Sequence, residues 1–130
     1  MISVDTNVLA RYLLNDDIEQ AKASARLLAG QAIIDVPLSV WLELVWVLQI
    51  NDCGKREIVK GLRHLIGLSN IRPQSLDVLL RTLGWYQEGM DFADALHLAM
   101  SAGHDHFASF DKTMLKVATK IGAAPQVIKP

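Results

Sequence analysis

The apolar and polar positions of this chain follow two periodicities, the short apolar runs of strands and the 3.6-residue repeat of helices. Apolar or β-branched runs predict strands at residues 2–4, 32–36, 70–72, 106–110 and 126–128. Helical spacing, often bounded by Asp, Asn or Gly, predicts helices at residues 6–14, 17–28, 39–50, 55–65, 76–87, 91–102 and 112–121. Strands interleaved with helices predict an α/β fold in which a mainly parallel sheet is covered on both faces, giving three layers.

The chain has 130 residues, which is close to the commonest size of a single domain. It contains no internal repeat, low-complexity tract or Pro/Ser-rich linker that would divide it. We therefore expect one domain over residues 1–130. The apolar fraction of 51% is high for a chain of this length, and the surplus predicts an interface with a second copy or with another protein.

No segment of the sequence has the length of a membrane span. The most apolar stretch, residues 38–50, is shorter than the roughly 20 residues that a bilayer requires, and it contains Glu43 and Gln49. Met1 is not followed by the basic and apolar regions of a secretion signal, so we expect a cytoplasmic protein. Cys53 is the only cysteine, which excludes an internal disulfide. The net charge of -1 neither indicates nor excludes a nucleic-acid partner.

Two aspartates follow predicted strands. Asp5 comes directly after the first strand, and Asp111 comes directly after the strand at residues 106–110. Ligands of open parallel sheets bind outside the carboxyl ends of the strands, so the two carboxylates converge if these strands are neighbours. The alternative for each is a structural role as the cap of the helix that follows.

Glu43 is the only polar residue in residues 40–48, a segment that is apolar on essentially all sides of a helix. Such a helix is typically buried, so we expect Glu43 to be buried as well. An unpaired buried carboxylate costs several kcal/mol and must find a cation, a metal or a proton. A metal site is one solution, and a salt bridge from an arginine is the other.

Asp94 lies one turn into another apolar helix, where Asp91 is placed to cap the helix and Asp94 is not. Asp94 is therefore the better ligand candidate and Asp91 the better structural one. His97 shares their helical face, and we favour a supporting or surface role for it over metal ligation. Ligands that are all oxygen donors indicate a hard cation, Mg²⁺ or Mn²⁺, and hence phosphoryl-transfer chemistry.

Four short motifs in this order resemble the PIN-domain nucleases, and especially the VapC-type toxins of toxin-antitoxin pairs. The motifs are Val-Asp-Thr-Asn-Val-Leu at residues 4–9, Ser-Val-Trp-Leu-Glu at 39–43, Asp-Phe-Ala-Asp-Ala-Leu-His-Leu-Ala at 91–99 and Ala-Ser-Phe-Asp-Lys at 108–112. The resemblance covers the whole chain. It implies a central five-stranded parallel sheet with strand order 3-2-1-4-5, which places the first and fourth strands side by side.

Carried over residue by residue, the resemblance implies a set of four acidic metal ligands and a set of residues that orient them. The four ligands are Asp5, Glu43, Asp94 and Asp111, and the orienting residues are Thr6, Asn7 and Ser109. The implied activity is hydrolysis of an RNA phosphodiester with Mg²⁺ or Mn²⁺, which lowers the pKa of a bound water. The implied partners are an RNA substrate, a small antitoxin protein and a second copy of the chain.

Lysines recur every four residues on the helix that begins beside Asp111. Lys112, Lys116 and Lys120 place positive charge along one route to the acidic residues, where Lys112 and Lys116 can contact an RNA backbone. A solvated helix face explains the same spacing.

Other functions remain open on the sequence alone. A PIN nuclease of RNA processing shares every motif named above. A receiver-like phosphoacceptor also uses strand-end aspartates, Mg²⁺ and a lysine, but it does not require Glu43 or Asp94. A haloacid-dehalogenase-like phosphatase requires Asp-x-Asp after its first strand, whereas this chain has Asn7 at the second position. A module that binds RNA or protein without cleavage is the non-enzymatic alternative.

Overall fold

Strands and helices alternate along the chain as the periodicity predicts. The computed structural model describes residues 1–130. Its strands are β1 (Ile2–Ser3), β2 (Ile34–Val36), β3 (Ile71–Pro73), β4 (His106–Ala108) and β5 (Gln126–Ile128). Its helices are α1 (Thr6–Leu14), α2 (Ile18–Ala29), α3 (Leu38–Ile50), α4 (Lys55–Ile66), α5 (Leu76–Gln87), α6 (Phe92–Ala99) and α7 (Lys112–Ile121). The chain forms two units, Met1–Ser75 and Leu76–Pro130, so the expectation of one domain stays a prediction.

The N-terminal unit is built on a parallel sheet in which β2 lies between β1 and β3. Ile34 and Val36 of β2 are fully buried, while Asp35 between them is only half-buried, as the alternation of a strand requires. α1 packs against α2 and α3, and α4 packs against α3 and β3. The carboxyl ends of β1 and β2 therefore lie at one edge of this sheet, where α1 and α3 begin.

The C-terminal unit pairs β4 and β5 in parallel, and α7 packs on β5 while α5 packs on α6. Its apolar core draws on the helices and on β5. The buried members are Met90, Ala95, Leu98, Met114, Ala118 and Val127. This core fixes the starts of α6 and α7, because both helices contribute apolar side chains to it.

The single five-stranded sheet of order 3-2-1-4-5 is not confirmed. The structure has a three-stranded sheet of order 1-2-3 and a two-stranded sheet of β4 and β5, so the orders within each part agree with the prediction. β1 has only two residues, both exposed, and a strand this short offers few backbone groups for a second ladder. The joined sheet stays a prediction.

The aromatic side chains divide between the interior and the surface. Trp41 and Tyr86 are buried, Trp85 is half-buried, and Trp46 is 59% exposed. The surplus of apolar residues is therefore partly at the surface, as the composition predicts. None of the seven helices has both the length and the apolar character needed to cross a bilayer.

Candidate active site

Asp5 begins α1 at the carboxyl end of β1. Its Oδ1 accepts a hydrogen bond of 2.8 Å from the backbone N–H of Thr6, so the capping role considered for this residue is confirmed. The side chain is exposed, and its other oxygen accepts no hydrogen bond from the protein. Thr6 thus contacts the carboxylate through its backbone, whereas the exposed Asn7 forms no hydrogen bond to it. A capping aspartate with a free oxygen is still able to bind a cation.

Glu43 is exposed, so the prediction that it is buried is wrong. α3 buries one side, which includes Trp41 and Leu44, and leaves the row containing Glu43, Trp46 and Ile50 in contact with solvent. An all-apolar helix has no polar face that marks its outer side in the sequence. Glu43 forms no salt bridge, which removes the alternative of a buried pair with arginine.

The two candidate ligands of the N-terminal unit, Asp5 and Glu43, lie toward the same edge of its sheet. Asp5 precedes α1, and Glu43 is five residues beyond Leu38, the first residue of α3. At 1.5 Å per residue this offset is about 7.5 Å along the helix axis. Glu43 also lines a surface pocket of about 380 Å³ together with Ser39, Leu42 and Trp46. Its carboxylate is therefore open to a ligand from solution.

Asp91 has the capping role that the sequence predicts, whereas the ligand role expected for Asp94 stays a prediction. Asp91 caps α6, because its Oδ2 accepts a hydrogen bond of 3.2 Å from the backbone N–H of Asp94. Asp94 is half-buried, and its own carboxylate accepts no hydrogen bond. α6 ends at Ala99, three residues before the predicted end, and the hydroxyl of Ser101 donates to the carbonyl oxygen of His97 in its last turn.

The pKa of the Asp94 carboxyl is raised above its ordinary value. The main cause is desolvation by burial, and the negative charges of Asp91 and Asp111 add to it, while His97 acts in the opposite direction. Asp94 and Asp111 are therefore brought close enough to repel each other within the C-terminal unit. His97 is exposed, in keeping with a supporting or surface role.

Asp111 begins α7 in a turn that is fixed by hydrogen bonds. Its Oδ1 accepts from the backbone N–H of Met114 at 3.1 Å, and its own N–H donates to the hydroxyl of Ser109 at 3.0 Å. Ser109 thus orients the backbone of Asp111 rather than its carboxylate. β4 ends at Ala108, two residues before the predicted end, so residues 109–111 form the turn into the helix.

Lysine side chains follow Asp111 on the outer side of α7. Lys112, Lys116 and Lys120 are all exposed, with the spacing of one helix face. The first of them is the residue directly after Asp111. Positive charge therefore begins beside the acidic turn and continues along the helix.

The donor chemistry of the acidic residues fits a hard divalent cation. None of Asp5, Glu43, Asp94 and Asp111 forms a salt bridge, whereas Asp16 forms one with Arg11 at 2.8 Å. Carboxylate oxygens without a neutralising arginine or lysine are suited to Mg²⁺ or Mn²⁺. No group of three or more His, Cys, Asp or Glu side chains is placed to hold an ion, so the four-residue ligand set stays a prediction.

The chain is thus an α/β protein with parallel strands and acidic residues at strand ends and helix starts. A sequence model of the family described as PIN domain matches residues 2–120. The chain therefore belongs to the PIN-domain family. This membership argues against the receiver-like and phosphatase alternatives. A solved structure with 20% sequence identity and a TM-score of 0.44, over 100% of both chains, is the Mycobacterium tuberculosis VapC20 toxin, described as cleaving the sarcin-ricin loop. No curated protein sequence matches the chain.

Proposed function

We propose that this protein is an endoribonuclease that depends on Mg²⁺ or Mn²⁺ and acts as the toxin of a toxin-antitoxin pair in the cytoplasm. Membership of the PIN-domain family supports a nuclease. The metal dependence is supported by the carboxylate of Asp94, which accepts no hydrogen bond, forms no salt bridge and faces the negative charges of Asp91 and Asp111. Burial first, and these charges second, raise its pKa. A functional cation relieves this repulsion when it binds.

Asp5, Glu43, Asp94 and Asp111 are the residues that would hold the cation. When bound, such an ion supplies Lewis-acid activation of water and neutralises charge on the phosphodiester. Other side chains hold the four acidic residues in position. Asp91 fixes the first turn of α6 and with it the backbone of Asp94. Attack by water, rather than by the ribose 2'-hydroxyl, leaves 5'-phosphate and 3'-hydroxyl ends on the products.

Positive and apolar surfaces supply the proposed partner contacts. Lys112 and Lys116 are exposed beside Asp111 and bind the RNA backbone in this proposal. The exposed apolar row of Trp46 and Ile50 on α3 is suited to a protein interface, either with the small antitoxin or with a second copy. The five-stranded sheet of order 3-2-1-4-5 belongs to the same proposal, since it would place Asp5 and Asp111 side by side.

Cleavage of RNA by the purified protein tests the proposal. We expect cleavage with Mg²⁺ or Mn²⁺, its loss in EDTA, and products with 5'-phosphate ends. Asp94→Asn should abolish cleavage, whereas Asp77→Asn is the matched control, because Asp77 is an exposed aspartate in the first turn of α5. Cleavage that is undiminished by EDTA would contradict the metal-dependent mechanism. Co-expression with the proteins of neighbouring genes then distinguishes the two kinds of nuclease. A toxin should be inhibited by a small partner protein, whereas an RNA-processing nuclease should not.

A further inference from the structure

Phe110 is the most exposed aromatic side chain of the protein, with 84% of its surface accessible. The backbone on both sides of it is held in place. The N–H of Ser109 donates to the carbonyl oxygen of Ile128 at 2.9 Å, and the N–H of Asp111 donates to the hydroxyl of Ser109 at 3.0 Å. A large apolar ring therefore projects into solvent from a fixed turn, where it buries almost nothing for the fold.

The residues next to Phe110 in the sequence are polar. Ser109 precedes it, and the exposed Asp111 and Lys112 follow it. No other large hydrophobic side chain of residues 101–130 is exposed. A protein interface typically requires a broader apolar patch than one ring. An unpaired nucleobase needs only one aromatic face to stack on, and lysine can bind the backbone phosphates on either side of its nucleotide. This combination favours single-stranded nucleic acid over a protein partner.

We infer that Phe110 is a stacking platform for one unpaired base of the RNA, adjacent to the phosphodiester that is cleaved. The inference rests on the proposed ribonuclease function and specifies the form of its substrate. Asp111 is the next residue and acts electrostatically on Asp94, so a base on Phe110 lies beside the acidic residues of this unit. Bases within a duplex are already stacked on each other, so the platform selects loops, bulges and single strands.

RNA binding by position-110 variants tests this inference. Every protein carries Asp94→Asn to prevent cleavage, and the ligand is a single-stranded RNA containing 2-aminopurine, whose fluorescence reports stacking. Phe110→Leu keeps an apolar side chain but removes the π face, and Phe110→Tyr keeps the face. We expect affinity to fall by roughly 5- to 150-fold for Phe110→Leu and to be retained for Phe110→Tyr. The fluorescence change on binding should be lost only in the Leu variant.

Two controls complete the design. Met100→Ala removes another exposed apolar side chain, beyond the far end of α6, and should leave single-stranded binding unchanged. Duplex RNA of the same sequence should bind equally to the Phe and Leu proteins. Melting temperatures should be equal as well, because the ring is exposed.

The inference is overturned if Phe110→Leu binds like the parent with the same fluorescence change, or if no protein binds single-stranded RNA. Loss of antitoxin binding with unchanged RNA binding would reassign the ring to a protein interface. The proposed function is tested separately by cleavage with wild-type Asp94. An uncleaved RNA that still stacks on Phe110 would overturn the nuclease function and leave the platform in place.

Discussion

The Asp91 carboxylate accepts a hydrogen bond from the backbone N–H of Asp94 at 3.2 Å. One aspartate is therefore committed to the start of α6, and the other is left with a carboxylate that accepts no hydrogen bond and has a raised pKa. Two acidic residues three positions apart thus differ in the contacts of their carboxylates. Substitutions by asparagine can separate them, because asparagine caps a helix about as well as aspartate but carries no charge.

Asp94→Asn should reduce the turnover of RNA far more than Asp91→Asn. We expect a loss of more than about 100-fold for Asp94→Asn, since even the groups that support metal ligands typically account for 10- to 100-fold. Asp91→Asn keeps the cap and should lose less than about 10-fold. Steady-state cleavage rates of both variants measure this difference. Equal losses would show that the ligand role has been assigned to the wrong aspartate.

The raised pKa of Asp94 should make the stability of the metal-free protein depend on pH. The folded state binds this proton more tightly than the unfolded state, whose carboxyl has the ordinary value of 3.8. The contribution of Asp94 to the free energy of unfolding therefore falls as pH rises from about 3.8 to the raised pKa, and is constant above it. Urea unfolding in EDTA at several pH values should show this decline in the parent protein.

Asp94→Asn should remove that part of the pH dependence, whereas Asp77→Asn should retain it. The relevant quantity is the difference in unfolding free energy between parent and variant, because other groups also titrate in this range. A difference that does not change with pH would mean that burial and the charges of Asp91 and Asp111 do not act on Asp94.

Metal binding should stabilise the parent protein. A cation that binds only the folded state at 100 times its dissociation constant adds about 2.7 kcal/mol to the free energy of unfolding. Asp94→Asn and Asp111→Asn each remove a repelling charge, so their melting temperatures without metal should be unchanged or higher, and their response to Mg²⁺ or Mn²⁺ smaller. Thermal melts of the three proteins measure both effects. A loss of about 3–5 kcal/mol in either variant without metal would instead indicate a broken buried ion pair.

The periodicity predicted the helices well because their ends carry local signals. The predicted bounds of α1, α5 and α7 agree with the structure, and Asp5 and Asp111 cap two of them. Burial on α3 was predicted incorrectly, since the exposure of Glu43 depends on which side its neighbours cover. The exposure of Phe110 was also not predicted. Its apolar side chain extended the predicted strand to residue 110, whereas the hydrogen-bonded strand β4 ends at Ala108.

Because Glu43 is exposed, replacing it should have little effect on stability, whereas the buried position predicted from the sequence implied a large effect. Glu43→Gln should change the free energy of unfolding by less than about 0.5 kcal/mol, because the side chain is exposed and unpaired. The adjacent Leu44 is fully buried, and Leu44→Ala should lose about 2–5 kcal/mol. Urea denaturation of both variants provides the comparison, and cleavage assays should show that Glu43→Gln is nevertheless impaired. A large destabilisation by Glu43→Gln would restore the buried position that the sequence predicts.

The lysines of α7 should determine how RNA binding responds to salt. Each lysine that neutralises a phosphate of a single strand contributes about 0.7 to the slope of log affinity against log salt concentration. Lys116→Gln should therefore weaken binding of all single-stranded sequences alike and reduce the slope by about that amount. Lys22→Gln is the control, because Lys22 is also exposed but lies on α2 in the N-terminal unit. Titrations from about 50 to 200 mM salt, with Asp94→Asn present to prevent cleavage, measure both slopes. If Lys116→Gln leaves the slope unchanged, the lysine row is a solvated helix face, and the RNA backbone follows another path.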